Sequence, residues 1–453
     1  MANFLVGWEL GGGLGHAGRL KPLAAGLQAR GHGVTMWLRD LVQTERLLAD
    51  LPVPRLQAPV WLHRTVGVPE PQVSLAEILL GCGYLQAHTL QPLVQGWLAA
   101  LRLSRADAML VDYAPSALVA ARIAGVPAAS VGMGFWLPPA AVPIPAFRDW
   151  QPIAPGRVAQ AEQQVLASIN GVLRQYGAAP LPALWQLFGG DLPLLCSWPE
   201  IDHYARPPGD AADWLGPNFL PDGGQPPQWP AGGSAAGDGP AAGAPAGDAP
   251  ADFGRADDGR VNDGRVNDGR AGAGPRVFAY LKAGHPDHVA CLQALVAAGC
   301  RVLCYLPEVN SGLKPPVVSP RIHYASGPVD LSQAFTEADL VVCHAGQATV
   351  VQALLAGVPL LLLPMQAEQF LMARQVERCG AAINAALRPR PADFGAMLQQ
   401  LLAQPACRAA AVAFAQRHAG FSHAAQVADL LDRLDGLARR AAAPPAAGPA
   451  APP

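Results

Sequence analysis

Residues 221–275 divide this chain of 453 residues in two, and that division limits what it can fold into. The segment is dominated by Gly, Ala, Pro, Asp and Arg, and it contains a short tandem repeat from Asp258 through Asn262 and Asp263 through Asn267 to Arg270. Such a composition buries too little apolar surface to offset the entropy of ordering, which predicts a disordered linker. A calcium-binding repeat is the functional alternative, but its period and glycine pattern differ from this one. The Ala/Pro-rich end, 441–453, is predicted to be a disordered tail.

Each flank is long enough for a core of its own. Half of all residues are apolar (51%), and 32 basic against 34 acidic groups leave a net charge of −2. A general nucleic-acid binder would carry a basic excess, which is missing. No apolar run approaches the roughly 18 residues of a membrane span, and Met1 to Phe4 lacks the positive start of an export signal. Eight scattered cysteines, without paired metal-ligand spacing, read as reduced thiols. A cytoplasmic monomer is the expectation.

Both flanks alternate strands with helices. In residues 1–220 the runs Phe4–Trp8, Val34–Leu38, Ala108–Val111 and Pro127–Val131 predict strands. A helix after the first carries Leu20, Leu23, Ala24 and Leu27 on one face, and Gly31 stops it. Pro115–Ala124 predicts another helix, ended by Gly125. In residues 276–440 the predicted strands are Val277–Leu281, Arg301–Leu306, Arg321–Tyr324, Leu340–Cys343 and Val358–Leu363. Helices are predicted at Asp287–Ala298 and from about Gln347 to Ala356. Strand–helix–strand alternation means a parallel sheet covered by helices, so the expected class is α/β with two Rossmann-like domains facing a cleft.

Ligands of open parallel sheets bind beyond the carboxyl ends of the strands. Four polar groups fall there: the loop Gly11–His16, Asp112, the turn Lys282–His285 with Gly284, and His344. Gly13, Gly15 and Gly18 satisfy a dinucleotide fingerprint, with Asp40 closing the second strand, although a tight turn alone also favours these glycines. His16 is not required by a phosphate cradle, and a general base is well placed there. Asp112 either fixes the tautomer of that imidazole or caps the following helix.

The stretch from Asp339 to Ala373 is more specific. After the strand come His344-Ala345-Gly346-Gln347-Ala348-Thr349, then a helix with Gln352, then Gly357-Val358-Pro359, a strand, and Glu368-Gln369. Gly346 lets a ligand approach the backbone, and the first amides of the next helix point at an anion. His344 and Thr349 add donors, while Glu368 and Gln369 suit hydroxyl groups. A diphosphate flanked by sugars is the ligand these features describe.

This stretch resembles the donor-binding signature of the UDP-glycosyltransferases, the GT-B inverting enzymes that include macrolide, plant secondary-metabolite and glucuronosyl transferases. The opening resembles their N-terminal signature in Gly15-His16, Pro22, Leu27, Arg30-Gly31-His32 and Val34-Thr35. The resemblance implies a GT-B fold and a metal-independent hexosyltransferase that moves a sugar from a nucleotide sugar to a small-molecule or lipid hydroxyl. It makes His16 the base and Asp112 its partner. It gives His344 and Thr349 the diphosphate, and Glu368 and Gln369 the sugar hydroxyls. Gly15, Gly284 and Gly346 would line the donor site.

Two positions depart from that pattern. Ala345 stands where a second glycine is usual, and Gln352 where a ribose-binding glutamate is usual. Nor is an aromatic stacker evident in Ala325 to Asp330, where the family places the base; UDP remains the first expectation and dTDP the second. No Asp-x-Asp occurs, and neither a metal nor a cofactor is expected. An inactive GT-B-like auxiliary protein bound to a partner transferase, or a sugar-nucleotide epimerase, are the rival readings. Trp61, Tyr84, Trp97, Phe135, Trp136 and Trp150 read either as core or as an apolar acceptor pocket.

Overall fold

Among the described residues, two six-stranded parallel sheets form the scaffold. The structure is a computed structural model and describes residues 1–148, 150–204, 206, 213–220, 223–231 and 274–442. The repeat at 258–270 and the end at 443–453 lie outside the described residues.

In the first lobe the strands are β1 (Asn3–Trp8), β2 (Gly33–Leu38), β3 (Arg55–Gln57), β4 (Ala108–Asp112), β5 (Ala128–Gly132) and β6 (Leu192–Leu195). They lie in the order β3-β2-β1-β4-β5-β6. The second lobe supplies β7 (Arg276–Tyr280), β8 (Arg301–Tyr305), β9 (Ile322–Tyr324), β10 (Leu340–Cys343), β11 (Leu360–Leu362) and β12 (Ala382–Asn384). Their order is β12-β11-β10-β7-β8-β9. Counted from its own first strand, each sheet has the same doubly wound order. Connections leave in opposite directions from the first and fourth strands, which opens a crevice between β1 and β4 in one lobe and between β7 and β10 in the other.

Side-chain alternation explains why the sheets are sealed on both faces. Leu5, Met109 and Val111 point into one core layer, while Phe4, Val6, Ala108 and Leu110 point into the layer on the opposite face. Phe278 and Val341 likewise oppose Val277, Ala279, Leu340 and Val342. Strands buried on both sides must be apolar throughout, and these are.

The helix Gly15–Ala29 connects β1 to β2 and buries Leu20, Leu23, Ala24 and Leu27 completely. Gly31, at φ +83°, supplies the left-handed turn that ends it. Its outer side meets the last described helix, His423–Ala442, which crosses back from the second lobe. Leu430, Leu431, Leu434 and Leu437 of that helix join the first lobe's core. A Cβ added at Gly26 would strike Leu431, so the two helices approach at that glycine. Arg30 Nη1 and His32 Nε2 both reach the Asp435 carboxylate, at 2.7 and 2.8 Å. All eight cysteines are free thiols. Among the described residues no helix is long and apolar enough to cross a membrane.

Candidate active site

The crevice of the first lobe holds His16. A glycine-rich loop leads from β1 into the helix Gly15–Ala29, and His16 sits in that helix's first turn. Gly11 has φ +79°, and a side chain there would run into His16 Nε2. The loop therefore needs glycine at this point both for its turn and to leave the imidazole room. Trp8 stacks on the ring at 5.1 Å between centroids, and Trp136 lies at 5.0 Å on a tilt.

Register places Asp112 beside this group, because Trp8 of β1 pairs with Asp112 of β4. His16 Nδ1 and Asp112 Oδ1 are 2.9 Å apart, with the carboxylate fully buried. A carboxylate can only accept, so Nδ1 carries the bonded proton. Asp112 does not cap the helix Pro115–Ala124, whose N-cap residue is Ala114. Glu9 takes that task, since Ser116 N donates to Glu9 Oε2 at 2.9 Å. Glu9 is wholly buried, and burial pushes its carboxyl up to about 7.

The crevice of the second lobe is built around His344. Its Nδ1 donates to the Leu363 carbonyl at 2.6 Å, and its Nε2 accepts from the Lys282 backbone N–H at 2.8 Å. Nε2 can accept only when deprotonated, and burial lowers the pKa of this imidazole accordingly. Both ring nitrogens are thus committed to backbone. His344 thereby ties the turn after β7 to the end of β11. Beside it, burial brings His285 down to about 4. Gly284 is exposed on the same turn, next to Met365.

Gly346 is the N-cap of the helix Gln347–Leu355 and offers no side chain to its first turn. The amides of Gln347, Ala348 and Thr349 precede the first intrahelical bond, which Val350 N makes to the Gly346 carbonyl. Free amides at a helix N-terminus suit an anion. Thr349 is buried beside them. Gln352 donates its amide to the Ala348 carbonyl at 3.1 Å, within its own helix. Glu368 opens the helix Ala367–Arg378 and is partly exposed. Its enclosure in the cleft pushes its carboxyl up to about 7 against the pull of Arg19. Gln369 Oε1 accepts from Met365 N at 2.9 Å.

The two crevices share one backbone feature. Tyr113 follows Asp112 at φ +47°, and Ala345 follows His344 at φ +62°. Left-handed backbone at a non-glycine residue is costly, and such strain gathers at functional sites. At Ala345 it accounts physically for the glycine usual in the resembling pattern.

Reading the sequence alone misses two residues that join the lobes. Arg19 Nη1 donates to Asp112 Oδ2 at 2.5 Å, and its Nη2 reaches Gln347 Oε1 at 3.4 Å. Gln347 Nε2 donates to the Cys196 carbonyl at 2.9 Å. The available signal was spacing: Arg19 lies three residues after His16, on the same helix face. Of the aromatic candidates, Tyr84 and Trp97 are core, Trp136 is at His16, and Trp150 packs on Phe370 of the opposite lobe at 4.7 Å.

Two facing doubly wound sheets, one in each lobe, are the GT-B architecture. Comparison with known proteins gives the same class. The chain has the GT-B fold of glycosyltransferases, and residues 321–427 of its second lobe match the glycosyltransferase family 28 C-terminal domain, a range that contains the whole stretch from Asp339 to Ala373. The UDP-N-acetylglucosamine–N-acetylmuramyl-(pentapeptide) pyrophosphoryl-undecaprenol N-acetylglucosamine transferase of Corynebacterium glutamicum is 37% identical over 91 residues. That match spans 19% of this chain and 25% of the relative's length. Among solved structures, glycosyltransferase VinC in complex with dTDP superposes with a TM-score of 0.59 at 16% identity, over 96% of this chain and 100% of that one. The spinosyn rhamnosyltransferase SpnG complexed with spinosyn aglycone gives 0.58 at 19% identity, with coverage of 96% and 100%. SsfS6 of Streptomyces sp. SF2575, complexed with thymidine diphosphate, gives 0.59 at 16% identity, again covering 96% and 100%.

Proposed function

We propose that this protein is an inverting glycosyltransferase that moves a sugar from a nucleoside-diphosphate sugar to an acceptor hydroxyl. One observation carries the reading: the buried His16–Asp112 pair, at 2.9 Å, shares a cleft with the uncapped first turn of the helix Gln347–Leu355. With Nδ1 held by Asp112, Nε2 is the nitrogen left to take a proton. The acceptor oxygen bonds to the anomeric carbon, the bond from that carbon to the diphosphate breaks, and the acceptor proton passes to Nε2. A single displacement of this kind inverts the anomeric centre. Base catalysis contributes about 10²–10⁴ in rate. The amides of Gln347 to Thr349, with the Thr349 hydroxyl, stabilise the charge gathering on the leaving diphosphate. Asp112 stabilises the imidazolium.

Residues 1–220 form the acceptor side and 276–440 the donor side. The resemblance favours UDP, as does the UDP-sugar named for the Corynebacterium relative. The dTDP and thymidine diphosphate of the VinC and SsfS6 complexes support dTDP as the other choice. Trp136 and Tyr113, stacked at 5.1 Å beside His16, give the acceptor an aromatic wall, which suits an apolar small molecule or lipid bearing a hydroxyl. In this role the protein acts as a cytoplasmic monomer.

The test is a His16→Ala variant assayed with UDP- and dTDP-sugars against a panel of apolar alcohols, with products identified by mass spectrometry. Transfer is expected to fall at least 100-fold while calorimetric nucleotide binding persists. Unchanged turnover would remove His16 from the mechanism. Nucleotide binding by the wild-type chain with no turnover of any donor would favour the auxiliary-protein reading instead.

A further inference from the structure

We infer that Arg19 and Gln347 form a relay that couples occupancy of the donor helix to the orientation of the catalytic base. The inference rests on the transferase reading above, and both are positioning residues. Arg19 is only 4% exposed. A guanidinium so buried needs partners, and each one it has here belongs to the machinery of the cleft. One nitrogen is on Asp112 and another faces Gln347, while the planar group lies 5.2 Å from the Trp136 ring centroid. Asp112 consequently has one oxygen on His16 and the other on Arg19. Any displacement of Arg19 turns the carboxylate, and the carboxylate turns the imidazole.

Gln347 is the far end of this chain. It is the first residue of the helix whose amides form the anion site, yet both ends of its side chain are committed to the other lobe. The carbonyl receives Arg19 at 3.4 Å and the amide donates to Cys196 at the end of β6 at 2.9 Å. The Arg19 contact is long for a charge-assisted bond, which leaves room to shorten as the lobes close. A diphosphate drawn onto the amides of Gln347 to Thr349 fixes the backbone that carries this side chain. Three consecutive hydrogen bonds then transmit the seating of the donor to His16. The base is aligned once the donor is in place, so the donor completes the catalytic arrangement by its own binding.

The experiment uses the full chain with ¹⁵N-labelled histidine, UDP and dTDP as probes, and the variants Gln347→Leu and Arg19→Lys. Without nucleotide, Arg19→Lys is expected to shift the His16 Nδ1–H resonance. In the wild type, saturating nucleotide moves that resonance again. In Gln347→Leu the nucleotide binds within about threefold of wild type, because the two bonds lost, to Arg19 and to the Cys196 carbonyl, leave the backbone amides in place, but the His16 signal stops responding. An Arg19→Lys spectrum identical to wild type overturns the relay, and so does a Gln347→Leu protein whose His16 still answers to nucleotide. Failure of both nucleotides to bind the wild type overturns the transferase reading itself, and the coupling with it.

Discussion

Glu9 shows how a residue outside the chemistry can still set the working range of the protein. Its carboxylate lies at the N-terminus of the helix Pro115–Ala124, a favourable place for negative charge, yet complete burial outweighs that benefit and lifts its pKa from 4.5 to about 7. An acid with a higher pKa folded than unfolded holds its proton more tightly when folded. Its contribution is therefore fully present below about 4.5 and is lost as the pH rises through about 7. Glu9→Gln keeps an acceptor for Ser116 N and removes the charge. It should raise stability by about 1–3 kcal/mol at pH 8.5 and change little at pH 4, as read from denaturant midpoints. A stabilisation of the same size at both pH values would contradict the burial account. Gly11 makes the complementary case in the site itself. Gly11→Ala adds a methyl group where His16 Nε2 now lies, in a backbone region that favours glycine. Transfer should drop at least tenfold with nucleotide affinity retained. Normal turnover in this variant would mean that the loop does not hold the imidazole.

At the scale of elements, the last helix links chain ends that the linear sequence keeps apart. Leu434 is fully buried in the first lobe's core although it comes after the whole second sheet. Leu434→Ala should destabilise the protein by about 2–4 kcal/mol, with the loss visible in hydrogen exchange of β1 and of the helix Gly15–Ala29. If protection falls only in the second lobe, the packing described for this helix is wrong. The amphipathic pattern of this helix says that it packs, and only the structure says against what. Strands follow a similar logic. The interior ones (β1, β2, β4, β5, β7, β8, β10 and β11) are legible as apolar runs, because both of their faces are buried. The strands missed, β3, β6 and β12, lie at sheet edges, run for three or four residues, and in β6 include Pro193. In the site, His16 and Asp112 are legible from their places after strands. The partners of His344 are not, since Leu363 and Lys282 contribute backbone atoms that no side-chain motif encodes. Arg19 and Gln347 escape for another reason: their contact spans 328 residues of sequence and exists only once both lobes are built.

For the whole molecule the decisive feature is that the two crevices open toward each other and already touch. Leu371 of the second lobe joins the first lobe's core. Trp150 packs on Phe370, with the Arg374 guanidinium 4.5 Å from its ring centroid. These contacts hold the cleft together beside the Arg19–Gln347 bridge. Trp150→Ala removes an aromatic and a cation–π contact at once, worth about 1–3 kcal/mol in closure. Small-angle scattering should then report a larger radius of gyration than for the wild type, with the difference narrowing when nucleotide is added. An unchanged radius would mean that other contacts set the closed state. The central claim is that a nucleoside diphosphate held by the helix Gln347–Leu355 presents its sugar to His16. A crystal structure of the full chain with a UDP- or dTDP-sugar tests it most directly. The account predicts the diphosphate on the amides of Gln347, Ala348 and Thr349, with the anomeric carbon facing His16 Nε2. A diphosphate bound instead on the glycine loop Gly11–Gly15, or a sugar turned away from His16, would contradict it.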